Sequence, residues 1–268
     1  MIIKYKATWV PSRFFLLTKE VNFFKIWLVG CVLSLGLVSH AHEPDPLLIL
    51  EIEEGQLNFE DEQIKSEYIA ALKRQRLRKL AAMPWQERFW IFIKSGIEHI
   101  IPKGLDHILF VLGLFFFSTK IKPLIWQVSA FTLAHTITLA LAALSVVNVS
   151  STIIEPLIAL SIVWIAVENC LYKNGNKWRL LLIFCFGLLH GLGFAAVLRE
   201  YGLPKESFIT SLLGFNIGVE IGQLLIIAAA FILVWKFLKK KWYRKFIQIP
   251  ISIGIALVGL FWFFERIL

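Results

Sequence analysis

The chain has 268 residues, of which 57% are hydrophobic and only 18% charged. Soluble domains carry about half apolar and about a quarter charged residues, so lipid is the solvent of much of this chain. The net charge of +9 does not signify nucleic acid, because many Lys and Arg residues sit in short loops between apolar runs, where they report membrane orientation. Of the three cysteines, Cys31 falls in a leader segment and Cys170 and Cys185 in apolar runs, which excludes a disulfide framework and a Cys-based zinc motif.

Lys4, Lys6, Arg13, Lys19 and Lys25 form a basic leader, followed by an apolar stretch from Ile26 to Val38. Ser39-His40-Ala41 then places small residues at the two positions a signal peptidase reads, which predicts a signal peptide over residues 1–41. An uncleaved anchor is the alternative. Leu28-Val29-Gly30-Cys31 is shaped like a lipoprotein box, but the apolar run continues past Cys31, where a mature lipoprotein would turn polar. Residues 42–84 form a short charged periplasmic segment. Within it a helix is predicted from Glu60 to Met83, acidic at its start and basic at its end, an order that suits the helix dipole.

Residues 85–268 are predicted to form an all-α, polytopic membrane helix bundle. Phe89 to Ile101 is apolar but shorter than the roughly 20 residues a span requires, and Pro102 and Gly104 break it. It reads as a re-entrant or interfacial half-helix over 89–101. About six spans follow, at 104–119, 121–146, 152–172, 178–198, 207–235 and 247–265. The loops after the first, third and fifth spans carry Lys120 and Lys122, then Lys173, Lys177 and Arg179, then six basic residues between Lys236 and Lys245. The other two loops carry only Arg199 and Lys205. By the positive-inside rule the first set is cytoplasmic, which puts the mature N-terminus and the C-terminus in the periplasm of a bacterial inner membrane.

Ionisable groups at membrane depth cost several kcal/mol, so each is a functional candidate, with hydrogen-bonded helix packing as the alternative. His99, Asp106 and His107 flank the Pro102–Gly104 break, and imidazole with carboxylate suits nickel, cobalt or zinc. Adjacent residues point about 100° apart on a helix, so one of Asp106 and His107 could orient the other rather than ligate. His135 shares a helical face with Ser129, Thr132 and Thr136. His190 lies between Gly187 and Gly191, which permit close helix approach and leave room beside the imidazole. Gly214, Gly218 and Gly222 form a ridge, with Asn216, Glu220 and Gln223 nearly opposite. Approximate depth places His99, Asp106 and His107 towards the outside, His135, His190, Asn216 and Glu220 deeper, and Glu168 and Asn169 towards the inside. That order suggests a cation path with metal ligands His99, Asp106, His107, His135 and His190, and pathway residues Glu168, Asn169, Asn216 and Glu220.

Several motifs resemble the HupE/UreJ family of bacterial membrane proteins, in its longer branch with an exported extension. They are Gly104-x-Asp106-His107, Phe131-Thr132-x-Ala134-His135-Thr136, Glu155-x-x-Ile158-Ala159-Leu-Ser161, Glu168-Asn169, Phe186-Gly187-Leu-Leu-His190-Gly191-x-Gly193 and Phe215-Asn216-x-Gly218-Val-Glu220-x-Gly222-Gln223. The resemblance covers about residues 89–266. It implies a secondary nickel or cobalt permease, and its His-Pro…Gly-x-Asp-His signature falls on His99, Asp106 and His107. Here Ile100 follows His99 and the proline comes at Pro102, a departure that bears on His99 more than on Asp106-His107.

The leading expectation is a secondary transporter for a divalent transition metal, nickel or cobalt, and not an enzyme. No tightly bound cofactor is expected, and the partners are the lipid bilayer and the metal ion. The sequence singles out neither a homo-oligomer nor a metallochaperone. One alternative is an intramembrane hydrolase using Zn2+ held by histidines and an aspartate. Another is a haem-binding protein with His135 and His190 as axial ligands.

Overall fold

The computed structural model describes residues 62–118, 120–172, 177–201 and 207–268. The expected signal peptide, the first part of the charged segment, and Lys173 and Lys205 lie outside these. The described residues form helices α1 (Glu62–Ala82), α2 (Trp85–Ile100), α3 (Leu105–Phe117), α4 (Ile121–Ala143), α5 (Ser151–Leu171), α6 (Arg179–Tyr201), α7 (Phe208–Val234) and α8 (Ile249–Glu265), with no strand among them. A π-helical turn, Arg244–Gln248, leads into α8.

Three helices, α4, α5 and α7, are each long and apolar enough to cross a membrane, as is the continuous helix Arg244–Glu265. A bent pair makes a fifth when taken as one span: α2 and α3 together have the length, with a 74° bend between them. The apolar part of α6, Arg179–Phe194, is shorter. Large apolar side chains remain exposed along the helices: Leu133 and Ile137 on α4, Leu160 and Trp164 on α5, Ile217, Ile221 and Leu224 on α7, and Leu257 and Phe261 on α8. Exposed apolar faces on this scale belong against hydrocarbon.

Glycines set which helices touch. A Cβ on Gly214 would meet the Phe89 carbonyl, one on Gly218 the Ile93 carbonyl, and one on Gly222 the Ile100 side chain. The α7 ridge therefore seats α2 along its length, and the rising pairs of numbers make the two helices parallel. The half-helix is thus packed inside the bundle rather than lying at the interface, with Phe92, Ile93, Gly96, His99 and Ile100 buried. A Cβ on Gly187 would meet the Phe131 carbonyl and one on Gly191 the His135 carbonyl, so α4 and α6 are also parallel. The room at those glycines is taken by a helix backbone, not left beside the imidazole. Helices α5 and α8 run antiparallel, joined by Asn169 with Ser252 near one end and by the Glu155 carbonyl with Arg266 near the other.

Together these pairings gather the C-terminal ends of α3, α5 and α7 with the N-terminal ends of α4, α6 and α8 at one end of the bundle. Lys120, Lys122, Lys177, Arg179 and the Lys236–Lys245 run all belong to that basic end. Helix α1 is largely exposed, but Leu80 is buried, and the Arg88 guanidinium donates to the Leu80 carbonyl at 2.9 Å.

Candidate metal centre

The chain cannot continue α2 into α3. The Ile101 amide closes α2 on the Ile97 carbonyl, and the Gly104 amide turns back to the Ile100 carbonyl at 3.1 Å. A Cβ on Gly104 would lie 2.4 Å from the His99 carbonyl oxygen, so only glycine fits this fold-back. The break ends α2 one residue past His99 and opens α3 two residues before His107.

His99, His107 and His135 are buried, and each offers a ring nitrogen such that the three lie within 4.8 Å of one another. The His107 ring is central. Its centroid is 4.9 Å from His99, 5.6 Å from His135 and 4.9 Å from His190. Four imidazoles from four helices therefore meet in one cluster. The rings that the sequence spreads along a path are packed together, with His99 against Phe194 and Phe215 and His190 against Phe110 and Phe131.

His190 Nε2 lies 3.1 Å from the Ser161 hydroxyl, which donates its own proton to the Ile158 carbonyl at 2.7 Å. With that proton committed, the hydroxyl oxygen is left to accept from Nε2–H of the imidazole. A ligand histidine oriented by a hydrogen bond on its far nitrogen is a recurrent metal-site device.

Two phenyl layers close the cluster. Towards the end opposite the basic loops, Phe194 and Phe215 stack at 5.3 Å with planes 8° apart, and Phe194 lies 4.0 Å from the His99 ring. Towards the basic end, Phe110 and Phe131 pack at 4.8 Å, with Phe131 5.0 Å from His190.

The other sequence-named residues are placed differently. Asp106 faces Arg266, whose Nη2 reaches both carboxylate oxygens. Glu168 is ion-paired with Arg179, and the two line a groove of about 530 Å³ with Trp164, Tyr172 and Trp178. Asn169 donates to the Gly113 carbonyl at 2.9 Å and to Ser252 at 3.2 Å, tying α5 to α3 and α8. Asn216 donates to the Leu212 carbonyl of its own helix. Glu220 accepts from Ser129 at 2.6 Å, and Gln223 accepts from Thr132 at 2.9 Å, so both join α7 to α4. The structure brings the histidines together and leaves these acids and amides around them in separate pairs. Sequence reasoning missed Arg266, which carries no local motif, and the two phenyl layers, which are lost among 23 phenylalanines.

A bundle of apolar helices enclosing a polyhistidine cluster defines a multi-pass membrane protein with a buried candidate cation site. The sequence profile of the HupE / UreJ protein family matches residues 74–266, and the chain belongs to that family. No curated protein and no solved structure matches it.

Proposed function

We propose that this protein is a secondary permease for a divalent transition metal, nickel or cobalt, in a bacterial inner membrane. The observation that carries the reading is the buried histidine cluster at the α2–α3 break, in a helix bundle of the HupE / UreJ family. Imidazole donors without thiolate suit nickel, cobalt and zinc better than magnesium or calcium. A break in a spanning helix beside a mid-bundle polar cluster is the arrangement secondary transporters use for their ions.

The ion is held between the Phe194–Phe215 layer and the Phe110–Phe131 layer, and each layer must part in turn for passage. The basic end faces the cytoplasm by the positive-inside rule, so inward passage meets Phe194 and Phe215 first. Glu220, which accepts from the Ser129 hydroxyl, is the candidate proton acceptor for coupling.

A zinc hydrolase is less well supported. It needs an open water position beside the metal, whereas the Phe194–Phe215 and Phe110–Phe131 layers close the cluster on two sides. A haem carrier needs a slot for a macrocycle between its axial ligands, whereas His107 and Phe131 each pack against both His135 and His190.

Nickel and cobalt uptake into proteoliposomes, with and without a pH gradient, tests the proposal. Uptake by the native protein that is lost in His107→Ala and His190→Ala supports it. No uptake, with hydrolytic activity in a zinc-loaded preparation, refutes it.

A further inference from the structure

The carboxylate next in sequence to His107 already holds a cation of the protein's own. Asp106 precedes His107 in the first turn of α3, and its two oxygens accept from Arg266 Nη2 at 3.0 and 3.1 Å. The Arg266 and Asp106 side chains are only 17% and 11% exposed. The guanidinium has two further points of support. Its Nη1 donates to the Glu155 carbonyl at 3.1 Å, and its carbon lies 5.4 Å from the centre of the Trp262 ring. Arg266 so joins α3, α5 and the end of α8.

We propose that Arg266 is a tethered counter-cation, displaced from Asp106 when a divalent ion enters the histidine cluster. The proposal rests on the permease reading of that cluster. Neutral imidazoles bring donor atoms but no charge, and a doubly charged ion inside a bundle needs a negative partner close by. Glu168 is bound by Arg179, and Glu220 lies on Ser129. Asp106 adjoins a histidine in sequence, and while Arg266 holds it the pair is neutral. Release of Arg266 restores a full negative charge at the moment the ion needs it. The Glu155 carbonyl and the Trp262 face keep hold of the displaced guanidinium, so its charge is not stranded and it returns when the ion leaves. A resident competitor of this kind weakens metal binding and speeds release, which a carrier requires and a storage site does not.

The test uses the full chain, purified in detergent for titration with nickel chloride and cobalt chloride, and reconstituted for uptake. Arg266→Gln is expected to bind either metal at least about tenfold more tightly, to lower KM, and to lower the maximal uptake rate because release slows. The d–d absorption of bound cobalt should change as the carboxylate joins the ion. Arg266→Lys keeps the charge and should stay near the native values. In an Asp106→Asn background, adding Arg266→Gln should change nothing, and this pair of variants carries the test where Arg266→Gln alone does not fold. Folded Arg266→Gln with native or weaker affinity would overturn the exchange, as would a change that persists with Asp106→Asn. Wild-type protein that binds neither metal would instead overturn the permease reading, and the exchange with it.

Discussion

Gly218→Ala tests whether the seating of α2 controls the metal centre. The added Cβ would lie 2.1 Å from the Ile93 carbonyl oxygen, 2.9 Å from its carbon and 3.0 Å from Gly96 Cα. All three are backbone atoms with no rotamer to yield, and ordinary contact begins at 3.4 Å, so α2 and α7 must part by roughly 1.3 Å. Overpacking costs about 1–3 kcal/mol, and the upper part of that range applies where only backbone can move. Alanine offsets about 0.5–1 kcal/mol through its better helix propensity, leaving a net loss of about 2 kcal/mol. The site suffers more than the fold. His99 lies one turn beyond Gly96 on the displaced helix, and metal–ligand distances tolerate only about 0.2 Å. Nickel affinity should therefore fall about 10–100-fold, the range typical of disturbed ligand support. Gly113→Ala is the comparison: its Cβ meets only the Ile165 side chain, at Cγ2 2.7 Å, with no backbone atom in the way. That change should stay within about 1 kcal/mol and leave binding intact. Thermal unfolding in detergent and calorimetric nickel titration read both. A Gly218→Ala protein as stable and as tight-binding as the native one would refute the reasoning, as would equal damage from Gly113→Ala.

His107→Ala should weaken nickel binding more than His190→Ala, because the His107 ring lies within 4.9–5.6 Å of all three others; calorimetry showing the reverse order would count against a His107-centred site. Nickel at about 100 times its Kd should add about 2.7 kcal/mol of stability, and the gain should vanish in His99→Ala/His107→Ala; a thermal shift that survives there places the ion elsewhere. Glu168→Gln and Arg179→Gln should each cost about 3–5 kcal/mol by stranding a buried partner, and the double change should recover most of it. Native uptake in that double variant would remove Glu168 from the ion's route. Asn169→Leu should cost about 1–3 kcal/mol by leaving the Gly113 carbonyl without its donor, with metal affinity unchanged.

The helical bundle was legible because its signals are local. Runs of apolar residues, a proline and a glycine at 102–104, and glycines spaced by four on α6 and α7 all act within a turn or two of their own positions. The histidines were legible as candidates for the same reason, since an imidazole in hydrocarbon stands out wherever it falls. Their convergence was not. It depends on α2 lying parallel to α7 inside the bundle, and that follows from Gly96 meeting the Phe215 carbonyl and Gly218 meeting the Ile93 carbonyl. Contacts across more than 100 residues leave no periodicity to read. The glycine ridge announced that some helix would approach closely, but not which one. Asp106 illustrates the same limit from the other side. Its motif pointed to a ligand, whereas its partner in the fold is Arg266, 160 residues away.

The break itself bears on the chemistry of the centre. A straight span would offer the ion only side chains, since its backbone groups are spent on their own ladder. Here the C-terminal end of α2, carrying partial negative charge, meets the cluster at His99, and the N-terminal end of α3, carrying partial positive charge, meets it at His107. The first favours a cation and the second opposes it. Asp106 in the first turn of α3 offsets that opposition, but Arg266 cancels its charge in turn. Opposed helix ends and a paired carboxylate leave the cluster little net field from its surroundings. On the exchange proposed above, ion affinity follows the Asp106–Arg266 pair, while Glu220 is left to carry the coupling proton. A site tuned this way binds strongly only while that pair is apart, and it therefore links holding the ion to a movement at the end of α8.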